Sequence, residues 1–251
     1  TVLATHGIGF IHGRDKGEGM QTHVVAPPGP AVGAQYVVAG IPPTRVWPVG
    51  PGLMDEYAPR PESPPNEMRR RVLILTNPAM PFSAHSGPGF EEIYLTTVLT
   101  VLSKFPGLTI SVKLHPSESI DFYQQLLNES CIEGVSVLGR GPFLRVIENF
   151  GTVIGTMSTA LIQAMVRRRW VMSANVMNIP FPEPYNEASG FPMVRSPEAL
   201  ESWLIKVFGP TPPATEYEPM LSRYAGILDG RESERFLIQL DNYYGKKEIE
   251  N

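Results

Sequence analysis

Two stretches, LTISVKLHPS and TVIGTMSTALIQAM, carry side chains of the types and spacing that hold an anion. In the first, Leu108 to Ser117, the residues Ile110, Val112 and Leu114 alternate with Thr109, Ser111 and Lys113, which is the period of a strand. His115 then falls where the strand ends, and Pro116 stops the strand and biases the histidine towards an extended backbone. At the carboxyl edge of a parallel α/β sheet, loops and helix N-termini converge, so Lys113 and His115 are expected to face a ligand there. In the second, a short apolar strand from Thr152 meets a small-residue turn. Ser158 or Thr159 then caps a helix carrying Leu161, Ile162, Met165 and Val166. Such a helix start offers N–H donors, a hydroxyl and the positive end of a dipole. Each stretch alone has an ordinary reading, a solvated strand end or a plain cap. Together, in one repeating α/β pattern, they point to a shared anion.

Three further residues stand at predicted strand ends. His6 closes the opening strand Val2 to Ala4 and precedes a loop holding Gly7, Gly9, Gly13, Gly17 and Gly19; it is a candidate acid or base facing the other side of a cleft. Asn77 begins the loop NPAMPFSAHSGPG, too rich in glycine and proline for a helix and hanging from a carboxyl strand end, where phosphate or substrate loops sit. Glu183, with Glu187, lies in the irregular loop 178–190, and a carboxylate there can accept hydrogen bonds from ribose hydroxyls. A structural histidine, a surface excursion and solvated acids are the ordinary alternatives.

The elements that must position these groups follow a βαβ alternation. Before it, a strand at Gln21 to Ala26, a short helix at Ala31 to Ala39 and a third strand at Arg45 to Gly50 are expected. APRPESPPN, residues 58–66, reads as a stiff proline-rich linker, so the predicted organisation is 1–57 as the end of one α/β domain, 58–70 as linker, 71–208 as a Rossmann-like domain and 209–251 as C-terminal helices and tail. Within 71–208 the spacing predicts strands from Val72, Leu108, Val135, Thr152 and Trp170. The helices between them run over Phe90 to Phe105, Ile120 to Asn128, Pro142 to Asn149 and from Ser158, with one more from Ser196-Pro197 to about Phe208. One or two helices end in the charged tail KKEIEN, expected to fray. The fold class is therefore α/β, a doubly wound parallel sheet preceded by a partial α/β segment.

Composition sets limits. The 251 residues carry a net charge of −4, which leaves no electrostatic footprint for duplex nucleic acid. The single cysteine, Cys131, excludes an intramolecular disulfide and a thiolate metal cluster and fits a reducing, cytoplasmic setting. No run of apolar residues suffices for a transmembrane helix, so membrane contact would be peripheral. Phosphate-loop, zinc-helix and nucleophile-elbow motifs are absent, and the glycines at 7 and 9 lack the dinucleotide spacing. The clusters Met68 to Arg71 and Arg167 to Arg169 read as a solvated linker edge and as cations complementing a helix end. Because Val2 to Ala4 reads as a strand already under way, a preceding segment is expected.

In its order of elements the chain resembles the GT-B superfamily, in which two facing Rossmann-like domains hold a nucleotide-activated donor. Lys113-Leu114-His115-Pro116 resembles the K-x-H-P motif of capsule polysaccharide transferases, polysialyltransferases and CDP-glycerol glycerophosphotransferases, and Ser158-Thr159 is similar to their downstream paired-hydroxyl motif. Thr5-His6-Gly7 looks like the strand-end His-Gly of the acceptor-side domain in glycerophosphotransferases and UDP-GlcNAc 2-epimerases. The resemblance spans roughly Thr1 to Met172. It implies that 71–208 is a donor-binding half and that Lys113, His115, Ser158 and Thr159 hold the donor's phosphates. His6 would take the acceptor's proton, and the partners would be a nucleotide-sugar donor and a saccharide or other hydroxyl acceptor, in surface polysaccharide synthesis. No cofactor or metal is called for, since a clustered Asp-x-Asp is missing. A further N-terminal domain or a second copy would complete the cleft. Two rivals stand beside this reading: a sugar-nucleotide epimerase or hydrolase, drawing on Asp15, Glu18, Glu183 and Glu187, and a non-catalytic nucleotide-sugar-binding module.

Overall fold

The computed structural model describes Val2–Ala4 and residues 24–57, 64–77, 89–129, 134–139 and 141–249. His6, the glycine-rich loop, Asp15, Glu18 and Cys131 lie outside these residues, as do residues 58–63 of the linker and 78–88 of the loop that begins at Asn77.

Six strands form one parallel sheet: β3 (Arg71–Leu75), β4 (Thr109–Lys113), β5 (Val135–Leu138), β6 (Thr152–Gly155), β7 (Trp170–Ala174) and β8 (Met193–Val194), in the order β5-β4-β3-β6-β7-β8. Strand order reverses between β3 and β6, so this is a doubly wound Rossmann-like sheet with its switch point there. Helices cover both faces, which explains why central strands read as continuous Val, Ile and Leu: every residue of β6 and β7 is buried. The helices that follow these strands, α2 (Phe90–Leu102), α3 (Ile120–Glu129), α4 (Phe143–Ile147), α5 (Thr159–Val166) and α6 (Pro197–Phe208), start at the carboxyl edge of the sheet. In α2, Tyr94, Leu95, Val98, Leu99 and Leu102 recur at helical spacing and are buried. In α5, Leu161, Ile162, Met165 and Val166 do the same. Each such side chain removed from water contributes about 2 kcal/mol.

Upstream, β1 (Val2–Ala4) pairs in parallel with β2 (Val24–Ala26), and α1 (Pro30–Val38) follows. The expected strand at Arg45 to Gly50 does not form. A single turn of 3₁₀ helix, Pro43–Arg45, leads to one bridge between Val25 and Val46, and pairing stops two residues on, where Pro48 has no N–H to donate. The sheet's edge strand β8 has only two residues, too short for a periodic signal.

The C-terminal segment returns to this first part. Helix α7 (Glu218–Tyr224) packs on α1, and α8 (Glu232–Ile249) packs on the 3₁₀ segment Gly52–Tyr57. Phe236, Leu240 and Tyr243 cover the cluster of Val24, Ala26, Trp47 and Val49. The tail expected to fray is helical through Ile249. No helix among the described residues is long and apolar enough to cross a membrane.

Candidate functional site

The carboxyl ends of β4, β3 and β6 lie side by side, and each carries residues singled out by type. Register pairs Leu75 with Lys113 and Ile74 with Ile154, so Thr76-Asn77, Leu114-His115 and Thr156 to Thr159 leave the sheet level with one another. Two strand spacings, about 10 Å, separate the outer two. Gly155 allows this closeness at β6: a Cβ there would stand 3.1 Å from Leu161 Cδ2 and 3.3 Å from Leu75 Cβ, so a larger residue would push α5 off the sheet. Across the switch point, Asn77 Nδ2 donates to the Met157 carbonyl at 2.6 Å and fastens the β6–α5 turn to the end of β3.

Ser158 is the N-cap of α5. Its backbone is extended, its Oγ accepts from Ala160 N at 3.2 Å, and its carbonyl accepts from Leu161 N at 3.0 Å. Of the first three helix N–H groups only that of Thr159 has no acceptor among the described residues. The first turn carries no acid, so the helix dipole is uncompensated from within. The Thr159 side chain meets Tyr185, whose hydroxyl is pushed up to about 12 by burial, with the Thr159 contact working the other way.

His115 is exposed at the end of β4. Its backbone N–H donates to Glu118 Oε2 at 2.8 Å and reaches Thr76 Oγ1 at 3.2 Å. Its ring turns back on the next turn, where Nδ1 accepts from Ser117 N at 3.2 Å and lies 2.8 Å from Ser117 Oγ. Lys113 does not reach outward. Because both faces of the sheet are covered, its side chain is buried and Nζ donates to the Leu114 carbonyl at 2.9 Å. Burial lowers its pKa, partly offset by Glu118. Glu183 is half-buried beside Tyr224, whose Oη lies 3.1 Å from its Oε2, and Glu187 pairs with Arg195 at 3.4 Å on the surface. The register therefore places His115, Asn77, Ser158 and Thr159 at one edge of the sheet, while the Lys113 ammonium stays within the sheet and Glu183 and Glu187 have protein partners.

Three residues of the site escaped the reading by type. Glu118, Thr76 and Tyr123 form a knot under His115: Thr76 Oγ1 donates to Glu118 Oε2, and Tyr123 Oη donates to Oε1 at 2.5 Å. The available signal was His115-Pro116-Ser117-Glu118, with proline at the second position of a turn that Glu118 N closes onto the His115 carbonyl at 3.0 Å.

The same arrangement of sheet and helices occurs in solved structures. A UDP-N-acetylglucosamine 2-epimerase assignment from Listeria monocytogenes matches with a TM-score of 0.62 at 11% identity, over 98% of this chain and 69% of that one. The Methanocaldococcus jannaschii UDP-GlcNAc 2-epimerase, solved with UDP-GlcNAc and UDP, matches at 0.59 and 11%, over 88% and 61%. TarM matches at 0.52 and 9%, over 97% and 49%. The fold is Rossmann-like, of the GT-B type. The chain spans between about half and about seven tenths of the length of these proteins. No family model matches it, and no curated protein matches it by sequence.

Proposed function

We propose that this chain binds a nucleotide-activated sugar or polyol donor through its diphosphate and serves as the donor half of a glycosyltransferase-like enzyme. One observation carries the reading: His115 and the Ser158-Thr159 helix start stand at the same edge, on strands flanking β3, at the switch point of a doubly wound sheet. There the His115 ring, the Thr159 N–H and the Ser158 hydroxyl supply donors without a competing carboxylate in the helix's first turn. In transfer, the bond from the sugar or polyol phosphate to the leaving phosphate oxygen breaks, the acceptor oxygen takes its place, and the acceptor proton goes to a base. His6 remains the candidate base. Negative charge then grows on the nucleotide phosphate, and donors fixed at that position stabilise the transition state more than the ground state.

The test is a thermal-shift panel of CMP, CDP, UMP, UDP and GDP against the chain and its His115→Ala variant. One nucleotide should raise the melting temperature, and the substitution should remove the shift; equal shifts in both proteins sink the assignment of His115. A second reading, a sugar-nucleotide epimerase or hydrolase, is favoured by the higher TM-scores of the epimerase structures. A labelled UDP-sugar separates the two. Transfer needs an acceptor and labels it, whereas epimerisation changes the sugar with no acceptor present.

A further inference from the structure

The Ser117-Glu118 turn decides what His115 can do. A backbone amide only donates, so the contact from Ser117 N leaves Nδ1 without a proton, and in the neutral ring the proton is on Nε2. No group among the described residues occupies Nε2. The turn is in turn held by Glu118. Its two oxygens take up the His115 N–H, the Thr76 hydroxyl and the Tyr123 hydroxyl, tying the end of β4 to the end of β3 and to α3. Tyr123 is fully buried, and burial together with the Glu118 carboxylate drives its pKa upward, so it stays a donor. The Glu118 carboxylate also acts on the buried Lys113, raising its pKa against the lowering by burial. With its backbone N–H already spent on Glu118, His115 has one group left to offer a ligand, the Nε2–H.

We infer that Glu118 is the positioning residue of the site: it fixes the β4–α3 turn so that His115 meets the bound phosphate as a hydrogen-bond donor and not as a proton acceptor. This rests on the phosphate-binding reading above. It adds that any base in the reaction comes from elsewhere.

The test joins a ligand-free measurement to a binding one. Long-range ¹H–¹⁵N correlation of the neutral histidines, with His115 assigned through His115→Gln, should show the single tautomer protonated at Nε2. Glu118→Ala should average that signal between tautomers and weaken UDP binding roughly tenfold, the loss expected when one oriented hydrogen bond is released. Glu118→Gln keeps an acceptor for the His115 N–H and should restore both. An Nδ1-protonated or mixed signal in the native chain overturns the inference, as does a folded Glu118→Ala protein with unchanged tautomer and affinity. If the tautomer responds as stated while UDP binds to none of the proteins, the positioning of His115 stands and the nucleotide reading falls.

Discussion

The two edges of the six-stranded sheet use polar residues in opposite ways. At the amino edge they are spent on the fold. Arg69 Nη1 donates to the carbonyls of Val207 and Gly209, both at 2.7 Å, while its guanidinium lies over Trp170. Thr152 Oγ1 donates to Arg69 O at 2.7 Å, and Trp170 Nε1 to Pro213 O at 2.9 Å. At the carboxyl edge, His115 Nε2, the Thr159 N–H and the Ser158 O–H are bound to no described group that would use them up. The helices repeat the contrast. α2, which enters beside β3, carries Glu91 and Glu92 in its first turn and so meets its own dipole with charge; α5, beside β6, carries no acid there. An edge whose donors are consumed serves the fold; the edge with donors left over is the one proposed above to bind the donor's phosphates.

Reversing the character of either edge should break this contrast. The largest effect on binding is expected at α5. Ser158→Asp keeps a good N-cap but places a carboxylate where the phosphate would bind, and isothermal titration should show UDP affinity falling by about 100-fold with the fold intact. At the amino edge, Gly151→Ala should act on stability alone. A Cβ at 151 would run into the Met68–Arg69 peptide, 2.4 Å from the Met68 carbonyl oxygen, and backbone is no soft neighbour to give way. A loss of about 3 kcal/mol is expected in urea unfolding, with UDP affinity of the folded protein unchanged.

A smaller effect concerns a polar group spent badly. Glu232, at the start of α8, is fully buried, its oxygens without a geometric hydrogen bond among the described residues, beside Gly50 and Asp55 and 3.6 Å from Arg235. Burial, then Asp55, raises its pKa to about 7. The unfolded chain would ionise it near the ordinary glutamate value of 4.5, so its contribution is fully present below that pH and is lost as pH rises through about 7. Discounted for solvent screening, that shift leaves a fall of about 2 kcal/mol. Glu232→Gln should flatten that pH dependence in unfolding titrations; an unchanged slope would show that Glu232 does not cause it. Smaller again, Ser158→Ala should cost about 1 kcal/mol through the lost cap. Glu91→Gln, at the helix that answers its own dipole, should leave UDP affinity within about twofold.

Much of this was legible in residue order, for physical reasons. β5 and β7 begin at the expected Val135 and Trp170, and the Ser196-capped α6 runs to Phe208 as expected, because short apolar runs set off by turn residues and a Ser-Pro start are strong local signals. His115 and Ser158 could be placed at strand ends because Pro116 and the small-residue turn punctuate the pattern. What local pattern could not show was tertiary. Met68 to Arg71 read as a solvated edge, yet Arg69 closes the sheet against residues more than a hundred positions away. Lys113 reads as a free cation until both faces of the sheet are seen to be covered. Glu118 carries no motif of its own and acquires meaning only when Thr76 and Tyr123, from two other elements, meet it.

The decisive measurement is a diffraction structure of this chain with UDP bound. A single diphosphate should bridge the gap between β4 and β6, with oxygens about 3 Å from both His115 Nε2 and Thr159 N. A diphosphate bound elsewhere, or one touching the helix start while His115 faces solvent, would contradict the convergence of these two strand ends on one anion.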